Sequence, residues 1–315
     1  MSLACVFPGQ GSQSVGMLAE LGARHPIVQH TFAEASGALQ YDLWQRVSAG
    51  PAELLDQTEC TQPAMLVAGV ATWRLWAAQG GARPAFVSGH SLGEFTALVC
   101  AGALDFAAAV TLVRDRGRYM QGAVPAGGGG MAAILGLEDD AVEAVCAEAA
   151  HGEVVEAVNY NAPGQVVIAG QAEAVERALA AALARGAKRA LLLPVSVPAH
   201  SSLMQGAASQ LQQRLAEVAI SAPRIEYLSA VDAQLHRDPE EIRALLVRQL
   251  ASPVRWSAAV AALSSRGVQA LVECGPGKVL TSLNRRIERR RDTKCLAIED
   301  QASLQAALEA TGSPL

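Results

Sequence analysis

Short apolar runs alternate with helical patterns at both ends of this chain. The runs end in glycine, proline or a small polar residue, which is typical of buried strands that stop at a turn. Strands are predicted at residues 3–7, 85–88, 270–274 and 295–298, and helices at 92–100, 279–290 and 303–310. Strands that alternate with helices favour a parallel sheet covered by helices on both faces.

The middle of the chain follows a different order. Strands are predicted at 131–137, 154–160, 165–169 and 190–195, and helices at 139–150 and 174–185. This β-α-β-β-α-β order is that of the ferredoxin-like fold, which closes a small antiparallel sheet of its own. We therefore expect a ferredoxin-like subdomain at 127–196, inserted into a discontinuous core of 1–126 and 197–315. The entry to this segment, Pro125 to Gly130, is expected to be a flexible joint. It is not expected to be a phosphate-binding loop, because such a loop would precede a helix rather than a strand.

Composition excludes several classes of protein. With 51% hydrophobic and 17% charged residues in 315, the chain has the composition of a folded globular protein. Aromatic residues make up only 4%, so a platform for stacking nucleic-acid bases is not expected. No apolar stretch approaches the ~18 residues of a membrane span, and the N-terminus has no basic leader, so a cytoplasmic protein is expected. Six scattered cysteines without a C-x-x-C pair indicate neither a zinc site nor a disulfide framework.

The segment Gly89-His90-Ser91-Leu92-Gly93 matches the nucleophile-elbow pattern G-x-S-x-G. It follows a predicted strand and precedes a predicted helix, which is the context the pattern requires. The flanking glycines suit a strained turn that lifts the serine hydroxyl clear of the sheet and supplies part of an oxyanion hole. We expect an α/β-hydrolase-like core with Ser91 as its nucleophile, although a glycine-rich turn with an incidental serine would give the same letters.

A serine nucleophile needs a base, and histidine is the side chain best suited to that role near neutral pH. Of the six histidines, His200 follows an apolar strand and a loop with two prolines, just before a predicted helix. Loops at strand ends are where catalytic bases are mounted, so His200 is the expected base. His90 adjoins the nucleophile, but successive residues on a turn point apart, and a packing or positioning role is expected for it.

A triad acid is missing. Hydrolases with this elbow place Asp or Glu between Ser and His along the chain. No aspartate occurs between Asp140 and Asp232, and the glutamates between Asp140 and His200 lie inside the inserted segment. We therefore expect a Ser-His dyad whose imidazole is oriented by a neutral acceptor.

These residues resemble the malonyl-CoA:acyl carrier protein transacylases of bacterial type II fatty acid synthesis, over essentially the whole chain. The resemblance is carried by seven motifs in register: Phe7 to Gln13, Gly89 to Glu94, Arg116-Gly117, Asn159 to Gln165, Val195 to His200, Arg248 to Leu250, and Gly275 to Gly277. It implies malonyl transfer from malonyl-CoA to the phosphopantetheine thiol of acyl carrier protein through a malonyl-Ser91 ester. No cofactor is implied.

The resemblance also assigns roles beyond the nucleophile and base. Arg116 would clamp the malonyl carboxylate, which a planar guanidinium can hold through two parallel hydrogen bonds. From charge alone, Arg116 and its neighbours Arg114 and Arg118 would be a solvated helix face. The backbone amides of Gln10 and Leu92 would form the oxyanion hole.

The resemblance further places Gln249 near His200, where a carbonyl would orient the imidazole. This role fits the missing triad acid, because a carbonyl is a neutral acceptor.

A basic docking patch is expected as well, because carrier proteins are generally strongly acidic and this chain has a net charge of −5. The densest basic cluster consists of Lys278, Arg285, Arg286, Arg289, Arg290, Arg291 and Lys294. Lys188-Arg189 is a second cluster. An ordinary solvated helix end would account for the same charges.

Three other functions remain compatible with the sequence. An esterase or thioesterase shares the elbow and the base, but the missing triad acid and Arg116 count against it. A malonyltransferase for another carrier, in malonate decarboxylase or polyketide synthesis, has overlapping motifs. A non-catalytic binding module is disfavoured because Ser91, His200 and Arg116 are all present.

Overall fold

The computed structural model describes residues 1–195, 197–288 and 293–312. Its strands, in chain order, are β1 Leu3–Phe7, β2 Phe86–Gly89, β3 Gly129–Leu135, β4 Val155–Ala162, β5 Gln165–Gln171, β6 Arg189–Leu192, β7 Glu226–Leu228, β8 Leu235–His236, β9 Ala270–Cys274 and β10 Lys294–Ile298.

The helices follow the same numbering by chain order. They are α1 Ala19–Arg24, α2 Pro26–Leu39, α3 Leu43–Ala49, α4 Ala52–Leu55, α5 Thr58–Ala78, α6 Gly93–Cys100, α7 Phe106–Gln121, α8 Asp139–Ala149, α9 Ala172–Ala184, α10 Gln205–Ala216, α11 Pro239–Gln249, α12 Trp256–Ser265, α13 Val279–Ile287 and α14 Gln301–Thr311. A short 3₁₀-helix, Ser202–Met204, precedes α10. In the described ranges, no helix is both long and apolar enough to cross a bilayer.

The larger sheet has the strand order β10-β9-β1-β2-β7-β8, six strands among the described residues. Its pairs are parallel except that β8 runs antiparallel to β7. Every residue of β1 is buried, as expected for a central strand covered by helices on both faces. Phe7 lies opposite Gly89, so β1 and β2 end side by side. Carboxyl ends of neighbouring parallel strands are where open α/β sheets place their sites.

The smaller sheet has the order β4-β5-β3-β6 and is antiparallel across the four strands of the described chain. Helices α8 and α9 supply its apolar cover, with Val142 and Val175 fully buried. The strand and helix order is the one expected from the sequence. Backbone hydrogen bonds from Tyr160 to Val254 (2.9 Å) and from Val254 to Val158 (2.8 Å) attach β4 to the larger unit.

Several boundaries differ from the sequence prediction. The strand expected at 190–195 ends at Leu192, shortly before Pro194, which has no N–H to donate to a ladder. The joint expected at Pro125 to Gly130 is shorter than predicted, because Gly129 and Gly130 already belong to β3 and pair with β5. The small sheet uses residues within 129–192, and the larger sheet uses residues on both sides of it. The domain boundaries at 126 and 196 stay predictions.

The helices between 19 and 78 carry no sequence prediction. The longest, α5, is buried along most of its length and has Pro63 in its second turn. A helix that is apolar on all sides has no periodic signal, which is why its pattern did not predict an amphipathic helix. It packs against α7, and this contact matters for the site described next.

Candidate active site

Ser91 lies on a tight turn between β2 and α6, with a backbone φ of 52°. This left-handed conformation is strained for a residue with a side chain and is typical of a nucleophile elbow. A Cβ on Gly89 would lie 1.9 Å from the carbonyl carbon of Gly93, and a Cβ on Gly93 would lie 2.0 Å from the carbonyl oxygen of Phe7. Both glycines are therefore required for the turn to close against the end of β1.

The hydroxyl of Ser91 lies 2.7 Å from Nε2 of His200. On the other side of the ring, Nδ1 lies 2.9 Å from the backbone carbonyl oxygen of Gln249. A carbonyl oxygen only accepts hydrogen bonds, so Nδ1 must carry the ring proton and Nε2 is left as the acceptor for the serine hydroxyl. The sequence prediction that Gln249 approaches His200 through a carbonyl agrees with this contact.

The electrostatic surroundings keep His200 neutral. Burial, and to a lesser extent the neighbouring Arg116 charge, lower the pKa of His200 to about 3, although hydrogen bonds to the backbone of Gln249 and Ser252 act in the opposite direction. The imidazole is therefore unprotonated at neutral pH and able to take a proton from Ser91.

Arg116 is fully buried on α7, unlike Arg118, whose side chain is 60% exposed. Its Nη1 donates to Oε1 of Gln62 (2.8 Å), and its Nη2 donates to Oγ of Ser91 (3.2 Å) and Oε1 of Gln249 (3.0 Å). The solvated-face interpretation is thus wrong for Arg116. Burial lowers the pKa of Arg116 to about 9 while the Glu94 charge raises it, so the guanidinium is protonated at neutral pH.

The close packing of α7 against α5 brings Arg116 and Gln62 together. Gly117 makes this possible, because a Cβ there would lie 2.6 Å from the carbonyl oxygen of Thr58 on α5. The Arg116-Gly117 pair therefore has a packing reason as well as a chemical one. Nε of Arg116 is buried without a partner among the described residues.

The predicted oxyanion donors lie beside the nucleophile. Gln10 and Leu92 line the same cleft as Ser91 and His200. Within the described chain, neither backbone N–H of this pair donates a hydrogen bond to another residue. Both amides are therefore free to donate to an oxygen in the cleft.

The cleft has a volume of about 350 Å³ and lies between the two sheets. The larger unit contributes His90 and Met120, and the smaller sheet contributes Met131 and Asn159. Apolar side chains such as Met120 and Met131 therefore face the cleft from both units, beside polar ones such as His90 and Asn159.

Comparison with known proteins places the chain in a family. Residues 4–298 match the family model described as the acyl transferase domain. The malonyl CoA-acyl carrier protein transacylase of Salmonella typhimurium is 56% identical over 97% of this chain and 98% of its own length. That of Bacillus subtilis is 41% identical over 98% of this chain and 96% of its own. This chain belongs to the malonyl CoA-acyl carrier protein transacylase family.

Solved structures of family members have the same fold. The malonyl CoA-acyl carrier protein transacylase of Coxiella burnetii superposes with a TM-score of 0.96 at 48% identity, covering 99% of this chain and 98% of its own. A malonyl-transacylase solved in complex with a type II PKS acyl-carrier protein has a TM-score of 0.96 at 50% identity, covering 98% and 99%. The resemblance stated from the motifs is therefore confirmed at the level of the family and of the mixed α/β fold.

Three buried polar residues of this transacylase site were not identified from the sequence. Gln62 holds Arg116 but lies in an apolar helix with no motif around it. Glu94 follows the elbow directly and accepts hydrogen bonds behind it. Oδ1 of Asn161 accepts a hydrogen bond from Nε2 of His90 at 2.9 Å, which joins the smaller sheet to the elbow. Glu94 and Asn161 lie within recognised motifs, so a signal for them existed.

Metal binding has no candidate in this part of the molecule. In the described ranges, His, Cys, Asp and Glu side chains do not gather in groups of three or more that could hold an ion. The expectation that no cofactor is needed stays a prediction.

Proposed function

We propose that this protein transfers a malonyl group from malonyl-CoA to the phosphopantetheine thiol of acyl carrier protein, by way of an ester on Ser91. The proposal rests on two contacts of Ser91 Oγ. Nε2 of His200 lies 2.7 Å from this oxygen, and Nη2 of the buried Arg116 lies 3.2 Å from it. The first is a base for the hydroxyl, and the second is a fixed positive charge for a carboxylate. The names of the relatives support the same substrates.

In the first half-reaction, Nε2 of His200 takes the proton of Ser91, and the serine oxygen attacks the thioester carbonyl carbon. The negative charge formed on the carbonyl oxygen is stabilised by the amides of Gln10 and Leu92, each such donor being worth about 10²–10³ in rate. The carbon-sulfur bond breaks, and the CoA sulfur leaves with the proton held by His200. The malonyl group is then esterified to Ser91.

In the second half-reaction, the carrier's thiol gives its proton to His200 and attacks the ester carbonyl. The bond between that carbon and the Ser91 oxygen breaks, and the proton returns from His200 to Ser91. Because His200 is oriented by the Gln249 carbonyl rather than by a carboxylate, its pKa is not raised by a neighbouring negative charge. Each half-reaction therefore begins with a neutral imidazole that takes a proton, and the imidazolium formed then gives that proton to the leaving group.

Arg116 gives this site its acyl selectivity. Its N–H donors reach Ser91 Oγ directly, so the carboxylate of a malonyl group on that oxygen lies within reach of the same guanidinium. An acetyl group has no carboxylate and gains nothing from the contact. This argument favours a malonyltransferase over an esterase or thioesterase.

We also propose that the carrier protein docks beside Arg286. Lys278 forms an ion pair with Glu299 at 3.1 Å, and Arg285 donates to the backbone carbonyl of Cys295 at 3.1 Å. Arg286 donates to the side chain of Gln165 and to the backbone carbonyl of Pro163 (3.0 Å), and it lines a groove of about 470 Å³ together with Lys188 and Arg189. The two basic clusters of the sequence thus meet in one place. Arg289 and Arg290, also expected in the docking patch, lie outside the described residues.

The finer description of the fold belongs to the same proposal. The elbow and the parallel sheet support an α/β-hydrolase-like core, and the strand order of the smaller sheet supports a ferredoxin-like insertion. Cytoplasmic location stays a prediction.

The test of the proposed function is the covalent intermediate. Wild-type protein mixed with malonyl-CoA should gain the mass of one malonyl group, and added holo acyl carrier protein should remove it. Ser91→Ala should show no adduct, whereas Ser88→Ala, which alters a buried hydroxyl of β2 just before the elbow, should keep it. An adduct of equal amount on Ser91→Ala would refute the assignment.

A polyketide carrier is the second candidate acceptor. The observation that favours it is the structural relative solved with a type II PKS carrier, which has a TM-score of 0.96. Offering the malonyl-enzyme a panel of holo carriers from both pathways distinguishes the two, because the preferred acceptor discharges the adduct fastest.

A further inference from the structure

Gln249 contacts three of the predicted site residues at once. Its backbone carbonyl accepts from His200, its side-chain Nε2 donates to the backbone carbonyl of Ser91 at 2.9 Å, and its Oε1 accepts from Arg116 at 3.0 Å. The residue is fully buried. The backbone contact would survive any side chain at this position, but the two side-chain contacts require an amide.

The direction of this amide is determined by its two neighbours. The Ser91 carbonyl can only accept a hydrogen bond, and the Arg116 guanidinium can only donate one. A reversed amide would set N–H against the guanidinium and oxygen against oxygen. The Gln249 side chain therefore links the backbone of the nucleophile to the guanidinium with one arrangement of donor and acceptor.

Glu94 lies behind this link. Its backbone N–H donates to the same Ser91 carbonyl, at 3.0 Å. Its carboxylate is buried and accepts from Tyr227, from Ser229 (3.0 Å) and from the backbone of Ala230 (2.9 Å). The Gln249 side chain is a further and weaker hydrogen-bonding neighbour of this carboxylate.

The amide therefore lies between a buried carboxylate and a buried guanidinium. Among the described residues, neither Glu94 nor Arg116 forms a direct ion pair. A direct carboxylate partner would occupy the N–H groups of Arg116 that face the cleft. Separation by an uncharged amide fixes the guanidinium in place and leaves its charge for an incoming carboxylate.

We propose that the side chain of Gln249, backed by Glu94, is a positioning residue that holds Arg116 beside Ser91 and thereby sets the selectivity for acyl groups with a free carboxylate. The proposal rests on the malonyl transfer proposed above. It assigns to the Gln249 side chain a role separate from the orientation of His200 by its backbone.

The test compares kcat/KM for malonyl-CoA and acetyl-CoA in wild type, Gln249→Met and Glu94→Gln, with holo acyl carrier protein as acceptor. Methionine keeps the length of the side chain and the backbone carbonyl for His200 but removes both amide contacts. We expect the malonyl-to-acetyl ratio of Gln249→Met to fall roughly 10- to 100-fold, the loss of one hydrogen bond to a charged group. Glu94→Gln keeps the shape and should lower the ratio by a smaller factor.

The matched control is Thr72→Val on α5, which removes a buried hydroxyl hydrogen bond to Ala68 (2.8 Å) away from the site. This variant should keep the wild-type ratio. A purely structural role for Gln249 would lower kcat/KM for malonyl-CoA and acetyl-CoA by the same factor. That result would leave the ratio unchanged in a folded variant and would overturn the proposal.

If Gln249→Met does not fold, Glu94→Gln decides the question alone, because an unchanged ratio there overturns the proposal and a lowered ratio supports it. Wild type in the same assay reports separately on the proposed function. A wild-type enzyme that prefers malonyl while both variants keep its ratio refutes only the positioning role. A wild-type enzyme without any malonyl preference refutes both.

Discussion

Replacing Arg116 by alanine is the most direct test of how this site selects its acyl group. The guanidinium makes three hydrogen bonds in the free enzyme, to Gln62, Ser91 and Gln249. The malonyl carboxylate is expected to replace the serine as its partner. A charged hydrogen bond of this kind contributes about 1.5–3 kcal/mol, which is roughly a 10- to 150-fold effect on kcat/KM.

The loss should fall on malonyl-CoA and largely spare acetyl-CoA. Removing Arg116 also removes a positive charge that lowers the pKa of His200, so that pKa should rise in the variant. The amide oxygens of Gln62 and Gln249 lose a buried donor, at a cost of about 1–3 kcal/mol each if no water replaces it. A moderate drop in melting temperature is therefore expected beside the kinetic change.

The assay measures kcat/KM for both acyl-CoA substrates with holo acyl carrier protein as acceptor. Arg118→Ala is the matched control, since Arg118 lies on the same helix with its side chain 60% exposed and paired with Glu59 at 3.4 Å. This control should behave like wild type. Equal losses for malonyl-CoA and acetyl-CoA in Arg116→Ala would show that the guanidinium does not read the carboxylate.

Two further predictions concern docking and stability. Arg286→Glu combined with Arg189→Glu should raise the KM for carrier protein roughly 3- to 10-fold at low ionic strength, and an unchanged KM would remove this groove as the docking site. Burial raises the pKa of Glu273 from 4.5 to about 7, so its stabilising effect is complete below pH 4.5 and is lost as the pH rises through about 7. The unfolding free energy of wild type should therefore fall by on the order of 3 kcal/mol relative to that of Glu273→Gln between pH 5 and pH 8, because glutamine does not ionise. Urea titrations at several pH values measure both free energies, and a difference that stays constant with pH would contradict the prediction.

The sequence predicted the elements whose pattern is local, namely short apolar strands and a glycine-flanked turn. The strand at 270–274 has the bounds expected from its apolar run, and the elbow has the left-handed serine that its two glycines suggested. The buried helix α5 escaped prediction, since its burial on all sides leaves no amphipathic period. The end of β6 was placed too late, since an apolar run continues past the point where Pro194 stops the hydrogen bonding.

The sequence by itself determined the family, the candidate nucleophile and base, and the absence of a nearby triad acid, because these depend on motifs and on residue types at a strand end. Only the tertiary structure decided that Arg116 is buried and that Gln62 and Gln249 hold it, and only it placed Glu94 behind the elbow. The Gln249 amide reaches the Ser91 backbone across 158 residues of chain. Contacts of that kind follow from strand order and helix packing, which bring distant segments together with no trace in the local pattern of either.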